Sequence, residues 1–139
     1  GKYRGGLGFY RDTRYLAERG HYTNRSETSL FPPPGVLGGE AGTTSNQRLL
    51  RAGGGTEPLP SKITNLTIRR GDTIEMAQPG GGGYGRARDR NPERVFSDWQ
   101  DGKVSSRSAL EIYAVVIDTD SSELDLEATQ TLRSSLRDS

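Results

Sequence analysis

The chain has 139 residues, enough for one hydrophobic core, but only 30% of them are apolar. Its 19 glycines and 7 prolines favour short elements separated by turns, which argues against a helical bundle. With 19 basic and 18 acidic residues the net charge is +1, so the basic excess of a nucleic-acid-binding protein is absent.

Cysteine is absent and His21 is the sole histidine, which leaves no thiolate nucleophile, no disulfide and no zinc site of the usual nitrogen and sulfur type. No apolar stretch of about 18 residues predicts a membrane span. These features predict a cytoplasmic protein that binds neither membrane nor nucleic acid. The abrupt start at "GKYRGGLG" suggests a piece of a longer polypeptide.

Up to about residue 88 the pattern predicts short antiparallel strands. Residues 6–16 and 47–52 have the composition of strands bounded by turns. Residues 62–78 predict a hairpin, with Ile74 and Met76 on one face of the returning strand and Arg70-Gly71-Asp72 as its turn. His21 falls in a predicted exposed loop, and we assign it no role.

From Asn91 the pattern becomes helical. Asn91 is a predicted N-cap, with Pro92 at the first helical position and Gly102 just past the end. A second helix is predicted from Ser106, leading into a strand over residues 113–117. A third is predicted to start at Ser121 or Ser122 and to run to Arg133 and Arg137, with a narrow apolar stripe of Leu124, Ala128, Leu132 and Leu136.

The sequence therefore predicts an α+β fold, mainly antiparallel β-structure followed by two or three short helices. Residues 1–88 form the predicted β-rich part, and residues 89–139 form a helical extension packed on it.

The four consecutive glycines Gly80–Gly83 are the least ordinary feature of the chain. They do not match a Walker loop, which needs Gly-Lys-Ser/Thr and a following helix, and they do not match a dinucleotide fingerprint. Pro79 and Tyr84 bracket the run, and glycines between such residues indicate close approach of another backbone rather than a flexible linker. This chemistry leaves two alternatives open: a purely structural loop, or a loop that lines a site.

Five motifs in order resemble the C-terminal end of the hydantoinase B/oxoprolinase family. They are "YRGGLGF" (residues 3–9), "FPPPGVLGGEAG" (31–42), "LPSKIT" (59–64), "RRGDTIEMAQPGGGGYG" (69–85) and "DRNPERVFSDWQDGKVSSRSALEIYAVVID" (89–118). The chain departs from the family pattern at Ala114, where the family usually has glycine, and in the basic stretch "GRARDRNPE".

The resemblance implies ATP-dependent opening of a cyclic amide, such as a hydantoin, an N-methylhydantoin or 5-oxoproline. An A unit would use ATP to activate the substrate, and a B unit would hydrolyse the activated species; ATP and a divalent metal are expected in the full complex. Related enzymes carboxylate ketones such as acetone. This chain resembles the C-terminal part of a B unit, so its implied partners are the rest of that unit, the A unit and the cyclic amide. No cofactor or metal is expected in the chain itself.

The motifs also imply which residues lie at a substrate cavity or in a packed loop beside it. No catalytic residue is identified. Lys62 is the most interesting chemically, because its ammonium could neutralise a phosphorylated intermediate, although a solvated residue at a strand edge is the simpler interpretation. The candidates are Arg4, Gly5, Gly6, Pro33, Pro34, Gly38, Gly39, Ser61, Lys62, Gly80, Gly81, Gly82, Gly83 and Tyr84.

Overall fold

The computed structural model describes residues 1–136 and has an α+β fold. Six strands precede residue 80, and three helices and two short strands follow Asn91, which confirms the predicted fold class. The strands are β1 (Phe9–Arg14), β2 (Arg19–Arg25), β3 (Asn46–Leu50), β4 (Thr56–Pro58), β5 (Lys62–Arg69), β6 (Thr73–Gln78), β7 (Val116–Asp118) and β8 (Glu123–Asp125). The helices are α1 (Pro92–Gln100), α2 (Ser106–Glu111) and α3 (Leu126–Ser135).

The chain forms two compact units, and neither is continuous in sequence. The sheet unit comprises Gly5–Pro34 and Ala41–Gly82. The helical unit comprises Gly1–Arg4, Gly35–Glu40 and the described residues from Gly83 to Leu136. Two short N-terminal segments therefore belong with the helices, whereas the domain boundary predicted from sequence was a single cut at residue 88.

The sheet unit contains a four-stranded antiparallel sheet in the order β1-β6-β3-β4 and a two-stranded sheet of β2 and β5. Leu49 of β3, Ile74 of β6 and Ile68 of β5 form its buried core. Because these residues come from both sheets, the core holds the two sheets of this unit together. Partly buried side chains complete the cluster: Tyr15, Tyr22, Leu59 and Leu66.

The prediction that residues 62–78 form a hairpin is wrong, although the turn is present. β5 pairs with β2, whereas β6 pairs with β1 and β3, so the chain changes sheets at the turn. Gly71 adopts φ +87°, and its N–H donates to the carbonyl of Tyr15. This bond directs β6 onto β1, which a pattern confined to residues 62–78 could not indicate.

The turn is stabilised by the buried carboxylate of Asp72, which is 4% exposed. It accepts hydrogen bonds from the backbone N–H groups of Ala52 and Arg69, both at 3.0 Å, and pairs with Arg51 at 3.1 Å. These donors, the two backbone N–H groups first, lower the pKa of Asp72 below its usual range. The carboxylate thus ties the turn to the loop after β3.

The prediction that His21 lies in an exposed loop is also wrong in part. His21 lies in β2 opposite Thr67 of β5, although its side chain is exposed as expected.

In the helical unit, α1 begins as the sequence predicts. The side chain of Asn91 accepts hydrogen bonds from the backbone N–H groups of Glu93 and Arg94, at 2.8 and 3.2 Å. The chain leaves the helix through Gly102 at φ +70°. Val95 of α1, Ala109 of α2 and Val115 form the core of this unit.

Two predictions near the C-terminus are corrected by the structure. The predicted strand over residues 113–117 is β7, Val116–Asp118, because Ala114 adopts φ +48° and cannot continue a strand. The third helix begins at Leu126 rather than at Ser121 or Ser122, since Ser122 has φ +56° in the turn between β7 and β8. Asp125 is the N-cap and accepts from Ala128 N–H at 2.8 Å.

All four residues of the predicted apolar stripe are half-buried, with Leu124 on β8 and the others on or at the end of α3. Arg137, the predicted last basic residue of this helix, lies outside the described residues. Among residues 1–136, none of the helices combines the length and apolarity required to cross a lipid bilayer.

Candidate functional site

Within the sheet unit, the first three glycines of the run lie against the chain at Gly5 and Gly6. The N–H of Gly81 donates to the carbonyl of Gly6 at 2.9 Å. A Cβ added to Gly5 would lie 2.4 Å from the carbonyl oxygen of Gly81, and one added to Gly80 would lie 2.5 Å from that of Gly6. Two backbones therefore meet at a distance that a side chain on either of these glycines would prevent.

Within the helical unit, Gly83 and Tyr84 are held by backbone hydrogen bonds. Tyr84 exchanges hydrogen bonds with Tyr3, at 2.9 and 3.0 Å, and Gly83 N–H donates to Glu40 O at 2.8 Å. A Cβ on Gly39 would lie 2.0 Å from the carbonyl oxygen of Gly83. Each part of the glycine run is thus fixed by main-chain bonding inside its own unit.

The requirement for glycine at position 80 comes from space, not from backbone angle. None of Gly80–Gly83 is among the residues with positive φ, whereas Gly85, two residues after the run, has φ +72°. After the run the chain forms a bridge at Tyr84 and a 3₁₀ turn at Ala87–Asp89 rather than a helix. In nucleotide-binding loops a helix begins directly after the glycines, and the positive end of its dipole favours phosphate; no helix begins directly after this run.

A groove of about 820 Å³ crosses the outer face of the four-stranded sheet and ends at Gly80. Asp12, Glu75 and Arg48 lie opposite one another on β1, β6 and β3, so their side chains share this face. Arg48 pairs with Glu75 at 2.6 Å. The groove is also lined by Tyr10, Thr43, Thr44 and Asn46.

This groove supplies hydrogen-bonding groups for a polar ligand. Asp12 forms no ion pair with the residues the structure describes, and Arg48 pairs with Glu75 instead. Within residues 1–136 no three histidine, cysteine or acidic side chains are placed to hold a metal ion. The chain supplies carboxylate, hydroxyl and amide groups here, without a complete acid–base or metal constellation.

Arg4 is part of a buried ionic cluster in the helical unit. Its guanidinium contacts one oxygen of Asp98, and Arg90 donates to the other oxygen at 2.8 Å. Asp98 is 7% exposed, and Arg90 also donates to the carbonyl of Lys2 at 3.2 Å. Arg4 therefore helps Arg90 to neutralise a buried carboxylate of its own chain, and loss of both arginines would leave that carboxylate without a partner among the described residues.

The sequence interpretation did not predict the buried contacts of Arg90, Asp98 and Arg133 in the helical unit. Arg133 donates to the carbonyls of Arg90, Tyr113 and Ala114, at 2.9, 3.0 and 3.2 Å. One signal was available, because Asp98 lies three residues after the buried Val95 and so on the apolar face of α1. A charged residue at such a position needs a buried partner.

The structure does not bring every candidate to the glycine run. Lys62 opens β5 opposite Arg25 and is exposed, as the simpler interpretation expected. Pro33 accepts a hydrogen bond from Gly42 N–H at 2.9 Å, within the sheet unit. A Cβ on Gly42 would lie 2.4 Å from Gly80 O, so this second motif does approach the glycine run.

Comparison with known proteins gives concordant results. The family model described as Hydantoinase B/oxoprolinase matches residues 1–87. The chain is 38% identical over 135 residues to the B subunit of a putative D-/L-hydantoinase of Pseudomonas sp. (strain NS671), covering 96% of this chain and 22% of that protein. It is 36% identical over 135 residues to an uncharacterized protein of Methanocaldococcus jannaschii, covering 96% of this chain and 23% of the other.

Two solved structures are also similar. An ATP-dependent caprolactamase from Pseudomonas jessenii has a TM-score of 0.71 at 29% identity, over 96% of this chain and 24% of that one. A nucleotide-free acetone carboxylase has a TM-score of 0.56 at 20% identity, over 76% of this chain and 18% of that one. The second shares the fold alone. The chain spans less than a quarter of each of these four proteins.

Proposed function

Because the chain belongs to the hydantoinase B/oxoprolinase family, we propose that it is the C-terminal part of the B subunit of an ATP-dependent cyclic-amide hydrolase. The match of the family model over residues 1–87 carries this proposal. The similarity to the B subunit of a hydantoinase and to a caprolactamase supports a hydantoin or lactam ring as the substrate class. The rest of the B subunit and an ATP-using A subunit are the proposed partners.

In this proposal ATP and its divalent metal bind to the A subunit. The glycine run of this chain leads into a bridge at Tyr84 and lacks the following helix of a phosphate-binding loop. We therefore assign the glycine run no part in ATP binding, and we propose that the A subunit activates the ring with phosphate from ATP. We propose that this chain helps to form the cavity in which the activated ring is hydrolysed.

The glycine run is the proposed wall of that cavity. Backbone segments at Gly5–Gly6 and Gly80–Gly81 approach without intervening side chains, and Gly8 and Gly80 next to this contact line the groove. The hydroxyl and amide groups of Thr43, Thr44 and Asn46 line the same groove and suit the polar edge of a cyclic amide. Arg4 pairs with Asp98 inside the helical unit, so we assign it a role in stabilising that unit.

A second candidate is a non-catalytic assembly module of the same complex. The half-buried stripe of Leu124, Ala128, Leu132 and Leu136 and the proline motif around Pro33 favour it. A third candidate, a part of an ATP-dependent ketone carboxylase, is supported by the fold shared with acetone carboxylase.

A substrate panel discriminates the hydrolase from the carboxylase. The intact B subunit and its A partner are incubated with ATP and a hydantoin, 5-oxoproline, caprolactam or acetone with bicarbonate. We expect ring-opened product from at least one cyclic amide and none that requires bicarbonate. Carboxylation of acetone, with no ring opened in the panel, would contradict the proposed reaction.

A further inference from the structure

β1 is an edge strand that is exposed on both faces. It ends the four-stranded sheet, and within residues 1–136 no other strand pairs with its outer side. All six of its residues are exposed. A strand with one face on the core alternates buried and exposed side chains, and β1 lacks this alternation.

The outward backbone groups of β1 can be assigned from its register. Tyr15 N–H donates to Asp72 O at 2.8 Å, and Thr13 and Arg11 lie opposite Ile74 and Met76 in the same register. In an antiparallel pair, alternate residues bond to the partner strand. The odd-numbered residues of β1 therefore bond to β6. The N–H and C=O groups that point to the free edge are those of Tyr10, Asp12 and Arg14.

Large apolar side chains are exposed along the same stretch. The exposed fractions are 62% for Leu7, 47% for Phe9, 89% for Tyr10 and 71% for Leu16. Arg11 lies over the ring of Phe9 at 5.3 Å from its centroid, which covers part of one ring only. A free edge lined with apolar side chains is a template for strand addition.

We propose that an extended segment from the rest of the B subunit adds to the outer edge of β1 and covers these side chains. The inference rests on the proposed function, because it requires this chain to be part of a longer subunit. The matched region is 22–24% of the hydantoinase subunit, the archaeal protein and the caprolactamase, so more than three quarters of each lies outside it. A segment of the same polypeptide also has the advantage of high effective concentration.

A second copy of this chain fits the edge less well. A twofold antiparallel self-pair that uses the whole strand is centred on residue 11 or 12, because the even-numbered residues must bond to each other. Such pairs place Arg11 opposite Arg11 or Asp12 opposite Asp12, and like charges directly opposite are destabilising. A segment of different sequence avoids both repulsions.

Hydrogen exchange in the intact B subunit tests the pairing with internal controls. The amides of Phe9, Arg11 and Thr13 are protected by β6 in any case, and Gly53 reports an exposed turn. We expect the amides of Tyr10, Asp12 and Arg14 to exchange at least about 100-fold more slowly than Gly53, since paired amides exchange only on opening. If the amides of Tyr10, Asp12 and Arg14 exchange less than about 100-fold more slowly than that of Gly53, the proposal is contradicted.

Photo-cross-linking identifies the occupant. In the same subunit Tyr10 is replaced by p-benzoylphenylalanine, which keeps an aromatic ring at the most exposed position of the strand. A cross-link within one polypeptide, to a residue outside this chain, supports the proposal. A cross-link to a second copy or to the A subunit, or none, contradicts it.

A ring-opening assay of the unmodified subunit with its A partner separates this inference from the proposed function. Activity with free amides at Tyr10, Asp12 and Arg14 contradicts the edge pairing alone. Protected amides without activity on any cyclic amide contradict the proposed reaction alone.

Discussion

Gly80→Ala and Gly81→Ala are neighbouring substitutions for which the structure predicts opposite outcomes. Neither residue has positive φ, so the comparison depends on space alone. A Cβ at position 80 would lie 2.5 Å from Gly6 O and 3.1 Å from Gly8 N. At position 81 the nearest atom is Gly6 N at 3.4 Å, an ordinary contact.

The magnitude follows from the displacement required. A carbon contacts a carbonyl oxygen at about 3.3 Å, so Gly80→Ala must separate the two backbones by roughly 0.8 Å. Overpacking of this kind costs about 1–3 kcal/mol, and strain on the bond from Gly81 N–H to Gly6 O adds about 1 kcal/mol. We expect a loss of about 2–4 kcal/mol, or roughly 6–12 °C in Tm for a chain of this length.

Gly81→Ala is the matched control. Because alanine restricts the unfolded chain and fits the folded one, we expect a change between zero and a stabilisation of about 1 kcal/mol. Thermal melts of the two variants and the parent measure the difference. Equal Tm values for all three would refute the close approach of the two backbones and would return the run to the linker interpretation.

Two further predictions concern the two units separately. Ala114→Gly should stabilise the chain by about 1 kcal/mol, because alanine is strained at φ +48°, whereas Ala109→Gly in α2 should destabilise it by at least about 1 kcal/mol; denaturant titration measures both. Asp72→Asn should cost about 2 kcal/mol at pH 7, since Asp72 has a lowered pKa and its contribution is present above the unfolded pKa and lost as pH falls through the folded one. The difference from the parent should therefore shrink below about pH 4, and an equal difference at pH 3 and pH 7 would contradict this.

Local signals in the sequence predicted local structure well. The cap at Asn91, the helix start at Pro92 and the end at Gly102 depend on residues within a few positions of one another. The turn at Arg70–Asp72 is local in the same sense, because Gly71 can adopt the positive φ that the turn requires.

Strand partners and helix boundaries near Ser122 were not predictable in this way. The choice of β1 and β3 as neighbours of β6 depends on residues more than 20 positions away, including the bond from Gly71 to Tyr15. The acidic run after Asp118 is equally suited to a turn and to a helix N-terminus. The structure uses Asp118 in the turn, where it accepts from Asp120 and Ser121 N–H, and Asp125 as the cap.

The candidate site was predicted unevenly for the same reason. A run of glycines indicates close backbone approach, but it does not name the segment that approaches, which is Gly5–Gly6 for Gly80 and Gly81. In the ionic cluster Asp98 pairs with Arg90 and with Arg4, and Arg4 is more than 90 residues away in sequence. The resemblance of the motifs supplied the family, and the three-dimensional structure supplied the neighbours.

Complementation tests the central claim most directly. The B subunit lacking this region, the A subunit and the present chain are purified separately and combined with ATP and the cyclic amide that the intact enzyme opens. We expect ring-opened product only when all three polypeptides are present. Product from the chain alone, or from the truncated subunit and its partner without the chain, would contradict it.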